Sequence, residues 1–199
     1  MAIAAAFFAD GFEEVEAFTP VDYLRRAGVN VITVAVKGKP VTIDGEKKIL
    51  VTGSHNIQFI PDISLENYLN EFSENTPDLI FCPGGGKGAE NLSNTEILLK
   101  HIEKAFSQER LISAICASPA VVLGKTNIMK GKKWTCYPDM EGNAKPEYLN
   151  GHEDKPFVTD GNIITGRAAG ASEQFAMELI RLIAGEQIAA KIKNGTCQR

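Results

Sequence analysis

No stretch of this 199-residue chain stays apolar for the length a membrane span requires, which removes a helical integral membrane protein from consideration. Charge is modest in both signs. With 21 Lys and Arg against 25 Asp and Glu, the formal net charge is -4, and there is no basic footprint for nucleic acid. Cysteine and histidine are sparse: Cys82, Cys116, Cys136 and Cys197 are widely spaced, no CxxC pair occurs, and the three histidines do not cluster. That pattern predicts neither a zinc site nor a disulfide framework, so no metal is expected and a reducing cytoplasm is the expected setting. The apolar start, Met1 to Ala9, lacks the positive region of a secretory signal and is ended early by Asp10-Gly11-Phe12-Glu13-Glu14. It reads as a first strand. Internal repeats, low-complexity stretches and linkers are also missing. What remains is an ordinary globular composition, 44% hydrophobic, sufficient for a substantial core in one domain spanning residues 1–199.

Within that composition, apolar runs alternate with helical periods. Ile3 to Ala9 has the continuous apolar character of a strand covered on both faces. A helix over Glu13 to Ala27 follows, with Val15, Phe18, Val21 and Leu24 at helical spacing and Gly28 to close it. Val29 to Val36 is a second strand. Lys39 to Thr52 reads as a hairpin turning at Asp44-Gly45. Short strands are expected at Asn56 to Ile60, Leu79 to Cys82, Leu111 to Ile115, Lys133 to Cys136, Phe157 to Thr159 and Asn162 to Thr165. Helices are expected at Leu65 to Asn70, Glu96 to Glu109, Ala117 to Leu123, Ala171 to Ala184 and Glu186 to Lys193. The alternation predicts a doubly wound α/β sandwich: a mostly parallel sheet covered by helices, with a small antiparallel excursion.

The chemistry concentrates at Cys116. It sits between the apolar run Leu111 to Ile115 and a helix that tolerates Pro119 in its first turn, the strand-to-helix elbow that presents a nucleophile at a sheet edge. Backbone N–H groups and the positive end of a helix dipole there favour thiolate over thiol. Loops after Ala9, after Cys82 and at Cys116 leave the same edge of the predicted sheet, where open α/β sheets bind ligands. The loop Pro83-Gly84-Gly85-Gly86-Lys87-Gly88 matches neither a P-loop nor a dinucleotide fingerprint. Its glycines suit an oxyanion donor, because the backbone can approach a bound carbonyl closely. Glu13 and Glu14 read as solvated charges at a helix N-terminus. Glu16 falls where the helix can turn it inward, and a carboxyl buried beside a thiolate stays protonated as a donor. His101 reads as a surface residue, His152 lies in a polar loop, and His55 precedes a short strand. None is adjacent to Cys116 in sequence.

Taken together, Gly11-Phe12-Glu13-Glu14-Val15-Glu16, Pro83-Gly84-Gly85, Ala114-Ile115-Cys116-Ala117 and the loop from Gly166 to Gly170 resemble the ThiJ/PfpI superfamily. The likeness is to the branch of the Parkinsonism-associated protein deglycase and runs in order from the first strand to Lys193. The resemblance implies one flavodoxin-like (class I glutamine amidotransferase-like) domain and a homodimer. It also implies Cys116 as nucleophile, Glu16 as the protonated partner of its thiolate, and N–H groups of Gly85 and Ala117 as an oxyanion site next to Gly84. The protease-like and chaperone-like branches place His directly after the nucleophile; Ala117 stands there, which argues against a peptidase. Tyr137 precedes Pro138 where the deglycase branch often carries His, and a phenol binds substrate but is a poor base at neutral pH. Ser118 replaces a usual glycine, and Ala168-Ala169 replaces Gly-Pro.

The expected function is therefore a cofactor-independent, cysteine-based glyoxalase or deglycase acting on methylglyoxal or its early adducts, a small reactive carbonyl. A redox sensor or chaperone-like stress protein, in which Cys116 is oxidised to a sulfinate, would use the same residues. No residue supports the phosphate or thiazole recognition that thiamine-precursor synthesis would need.

Overall fold

A computed structural model describes residues 1–198. Its centre is β1 (Ile3–Ala9), whose apolar residues are nearly all buried because sheet neighbours flank it on both edges and helices cover it. From β1 the chain passes through α1 (Glu14–Arg26) to β2 (Asn30–Lys37) on one side. A hairpin of β3 (Lys39–Ile43) and β4 (Glu46–Thr52) follows, then β5 (Gln58–Phe59), β6 (Ile63–Ser64) and α2 (Leu65–Phe72). It crosses to the other side of β1 as β7 (Leu79–Cys82), then runs through α3 (Gly86–Ser93), α4 (Glu96–Ser107), β8 (Leu111–Ile115) and α5 (Ser118–Val121). A long irregular stretch leads to β9 (Phe157–Asp160), β10 (Ile163–Gly166), α6 (Ser172–Ala184) and α7 (Glu186–Gly195). The main sheet has the order β6-β2-β1-β7-β8-β10-β9, and every pairing in it is parallel except β9 with β10. The winding direction reverses between β1 and β7, so a crevice forms at their C-terminal ends. This is the doubly wound α/β sandwich expected from the sequence. No helix among the described residues is long and apolar enough to cross a membrane.

The hairpin turns at Asp44-Gly45, both at positive φ (51° and 83°), the backbone that a two-residue turn of this hand demands. It joins β5 in a separate three-stranded antiparallel sheet. Phe59 of β5 packs edge-on against Phe8, Phe12 and Phe18, with ring centroids 4.6–5.5 Å apart. That aromatic cluster anchors the excursion to β1 and α1.

Several elements differ from the sequence expectation. Lys133 to Cys136 is not a strand: only Trp134 makes an isolated bridge, to His152. The reason is topological, since β10 is already flanked by β8 and β9 and offers no free edge. The expected strand Asn56 to Ile60 contracts to two residues, and the edge strand β6 was unsuspected. Helix α3 hides behind the glycines that suggested a loop. Along α1, Val15 is 52% exposed, while Val21 and Leu24 are buried within the chain, where α1 packs against α6. They therefore offer no free apolar face for a partner.

His101 is the clearest reversal. It is buried, not superficial, and its Nε2 lies 2.8 Å from the Tyr68 hydroxyl. Burial pushes its pKa down to about 4, so the ring is neutral in the folded protein. Tyr68→Phe removes this buried ring nitrogen's partner and is expected to cost about 1–3 kcal/mol. Urea denaturation measures the loss, and an unchanged midpoint would contradict the pairing.

Candidate functional site

Three loops meet at the crevice. Backbone hydrogen bonds fix them: the Glu13 N–H donates to Gly84 O at 3.0 Å, and the Cys116 N–H donates to Gly166 O at 2.9 Å. Cys116 directly follows β8 with φ at +63°, a left-handed backbone that a β-substituted residue adopts only when its surroundings impose it. Here the surroundings are the strand pairing on one side and the turn into α5 on the other. The sulfur-bearing side chain is thereby lifted off the sheet, yet the residue is only 9% exposed.

Glu16 lies beside it. Glu13 caps α1, accepting the Glu16 N–H at 2.7 Å, and this sets the helix phase that turns Glu16 inward to 2% exposure. One Glu16 oxygen, Oε2, is buried with no hydrogen-bond partner. A Cβ on Gly84 would overlap both that oxygen and Cys116 Cβ, so the glycine is what lets carboxyl and thiol share one pocket. Gly85, at φ +90°, presses against Gly11 O and the Glu13 backbone, and its N–H points at the Cys116 sulfur together with that of Ala117. Gly84→Ala is expected to lose about 1–3 kcal/mol, because the crowded atoms include Cys116 Cβ and the Ile115 carbonyl oxygen of a rigid elbow. Thermal denaturation checks it; an unaltered melting temperature would show that the pocket has slack.

The electrostatics revise one expectation. Desolvation raises the Glu16 carboxyl to about 7. The Cys116 thiol is raised to about 12, first by burial and then by the charge and hydrogen bond of Glu16, against the lowering effect of the Gly85 and Ala117 N–H groups. The elbow alone therefore does not activate the sulfur. The helix after it is short: α5 covers four residues before the backbone tightens into a 3-10 turn at Leu123–Lys125, so its dipole is small. Two of the three raising effects depend on a charged Glu16. If the proton resides on Glu16, repulsion vanishes and the carboxyl becomes a donor to sulfur. In the reverse arrangement the Cys116 thiol and the Ala169 backbone donate to the Glu16 carboxylate, while burial opposes its charge.

Tyr137 also reaches this region. Its N–H donates to Cys116 O at 2.8 Å, and its side chain, 48% exposed, borders an open cavity of about 460 Å³ with Pro138, Arg167 and Ala168. None of the histidines joins Cys116: His101 is in the core, His152 faces Cys136, and His55 pairs with Glu14 at 2.8 Å. Glu14 is not the solvated charge the sequence suggested. It is buried and accepts from the His55 N–H and the Ser54 hydroxyl, tying the turn before β5 to α1. The contribution of Ala169, whose backbone hydrogen-bonds Glu16, escaped sequence reasoning. Its only signal was the position of its small-residue loop at the end of a parallel strand.

Comparison with known proteins agrees with this geometry. The DJ-1/PfpI family model matches residues 3–182. The chain is 32% identical over 195 residues to protein dj-1beta of Drosophila melanogaster, covering 96% of this chain and 95% of that one. It is 32% identical over 188 residues to DJ-1 homolog B of Arabidopsis thaliana, where it spans 94% of its own length but 39% of the relative's. Among solved structures, oxidized Toxoplasma gondii DJ-1 superposes with a TM-score of 0.85 at 28% identity, over 99% of this chain and 98% of that one. With a parallel sheet of this order, a cysteine elbow faced by an inward glutamate and a family match over nearly its whole length, the chain belongs to the DJ-1/PfpI family.

Proposed function

We propose that this protein is a cysteine-based glyoxalase or deglycase that removes methylglyoxal, free or as its early adducts, as part of carbonyl-stress protection in the cytoplasm. The observation that carries the reading is the buried Glu16 Oε2 with no partner next to Cys116, because it favours a protonated Glu16 able to donate to the sulfur. The thiolate adds to the aldehyde carbon, and Glu16 gives its proton to the new alkoxide, producing a hemithioacetal. Glu16, now a carboxylate, takes the proton from that carbon while the neighbouring ketone oxygen is protonated, giving an enediol. Glu16 then returns the proton to the neighbouring carbon as the hemithioacetal hydroxyl loses its own and becomes the thioester carbonyl. The resulting lactoyl thioester is hydrolysed by water to lactate, and Cys116 and Glu16 return to their starting state. A nucleophile and one acid/base group suffice for this sequence, which calls on no cofactor. Gly84 leaves room for the pair, Gly85 and Ala117 donate N–H groups at the sulfur, and Tyr137, whose backbone N–H joins the elbow, would offer its phenol to substrate. Lactate formation from methylglyoxal by the purified protein, followed by chiral analysis, tests it: one enantiomer is expected, and a racemate at the uncatalysed rate would reject the reading. With no histidine base at the pair, turnover is expected to fall below the median of about 10 per second.

A redox role has support of its own. The N–H groups of Gly85 and Ala117 donate to the sulfur, and a protonated Glu16 would add a third donor. Two equivalents of peroxide would convert the thiolate to a sulfinate and two waters, and those donors would hold its oxygens. One superposed relative is described as oxidized. Mass spectrometry after mild peroxide distinguishes this role by whether Cys116 is the first cysteine modified.

A homodimer belongs to the same proposal. The exposed apolar residues near the start of α1 are Val15 and Ile57, on either side of Glu14. Sedimentation at micromolar concentration is expected to show a dimer that Val15→Glu weakens; a monomer in the wild type would reject it.

A further inference from the structure

Away from Cys116 and Glu16, a second set of ligating atoms converges. Cys136 comes from the irregular stretch before Tyr137, Glu141 from the 3-10 turn Glu141–Asn143, and His152 from the residue after the 3-10 turn Pro146–Gly151. Cys136 Sγ lies 3.7 Å from His152 Nε2, and the three ligand atoms all lie within 4.8 Å of one another. A tetrahedral zinc with bonds of about 2.3 Å to sulfur and 2.0 Å to nitrogen separates those two atoms by about 3.5 Å, so the Cys136–His152 edge already has ligand spacing. Glu141 brings a carboxylate oxygen within 4.8 Å of both, and its Oε2 is buried with no hydrogen-bond partner. His152 is held in place by its backbone bridge to Trp134 and by the Trp134 ring, 5.1 Å from its own.

We propose that Cys136, Glu141 and His152 form a binding site for a zinc-class divalent cation, with water as the fourth ligand. Thiolate and carboxylate together neutralise the ion's charge inside a half-buried pocket. Forming the sulfur–metal bond releases the Cys136 thiol proton to solvent. A sulfur, a nitrogen and an oxygen donor favour zinc over magnesium or calcium, which take oxygen alone. The other cluster of possible ligands, Glu13, Glu14 and His55, has no thiol, and its Glu14 oxygens already accept backbone and hydroxyl donors. Positions 136, 141 and 152 match none of the paired spacings that announce zinc in a sequence, which is why the cysteine count pointed away from a metal. The site has a structural consequence. Tyr137, next to Cys136, donates its N–H to Cys116 O, so a bound ion would clamp the segment from 136 to 152 against the elbow.

Cobalt titration of the full, reduced chain tests the proposal. One equivalent of cobalt is expected to produce a thiolate-to-cobalt charge-transfer band and to quench the fluorescence of Trp134, the only tryptophan; zinc should then displace it. Cys116→Ser should retain both signals. Cys136→Ser should lose the band, and Glu141→Gln, on a partly exposed turn where folding is not at risk, should weaken binding about tenfold or more. No band in the wild type, a band that survives Cys136→Ser, or an unchanged affinity in Glu141→Gln would each overturn the assignment.

Discussion

Cys116→Ser is expected to abolish conversion of methylglyoxal to lactate. A serine hydroxyl carries no comparable population of anion at neutral pH, and no histidine is near enough to create one: His101 is buried against Tyr68, His152 faces Cys136, and His55 is bound to Glu14. Glu16→Gln is expected to be nearly as damaging to turnover for a different reason. The amide still donates to sulfur, so addition to the aldehyde proceeds, but it cannot accept the proton from the carbon that must next be deprotonated. The glutamine variant should therefore accumulate a covalent methylglyoxal adduct on Cys116, visible by intact-protein mass spectrometry, while producing little lactate. In a redox sensor the same variant would change how far peroxide oxidation proceeds and would hold no such adduct. Lactate formation that persisted in Cys116→Ser would place the chemistry elsewhere.

Glu16→Gln should also alter stability, in a pH-dependent direction. The Glu16 carboxyl is raised from 4.5 to about 7 by burial, so between those values the folded protein holds a proton that the unfolded chain has released. Stability must fall as pH rises through that window, by about 3 kcal/mol for a shift of this size. The glutamine variant has no such proton to lose. It is expected to match the wild type near pH 4 and to exceed it by about 3 kcal/mol near pH 8. His101 acts in the opposite sense, since its value is depressed to about 4: its contribution is present above the unfolded value and is lost as pH falls toward 4. Both proteins share it, and so the difference between their denaturation curves isolates Glu16. A constant difference across pH would show that Glu16 is ionised in the fold as readily as in the unfolded chain.

Much of this architecture was legible because its signals are local. Ile3 to Ala9, Leu79 to Cys82 and Leu111 to Ile115 are short apolar runs with turn residues behind them, and each forms a parallel strand within a residue or two of its expected ends. Asp44-Gly45 specified a hairpin outright. The inward turn of Glu16 followed from its offset to Glu13, which proves to be the helix cap. What failed depended on partners. Lys133 to Cys136 has strand-like composition but no edge to join, and His101 reads as polar until the Tyr68 hydroxyl is known to face it. The glycines of α3 concealed a helix because the close approaches to Phe12 and Gly11, which require Gly88 and Gly85, are long-range. The expected activation of Cys116 failed in its cause: the helix dipole is a single turn long, and the charge balance rests with Glu16.

The reading stands on one proton shared by Glu16 and Cys116, with the negative charge on sulfur. The rate of Cys116 alkylation by iodoacetamide across pH, followed on the Cys116 peptide by mass spectrometry, measures where that charge appears. The rate is expected to rise with an inflection below the free-cysteine value of about 8.5, where the pair loses its first proton, and to level off well before pH 10. A rate that stays flat through neutrality and first rises at or above that value would contradict it, because the pair's first proton would then have left Glu16 charged and Cys116 a thiol.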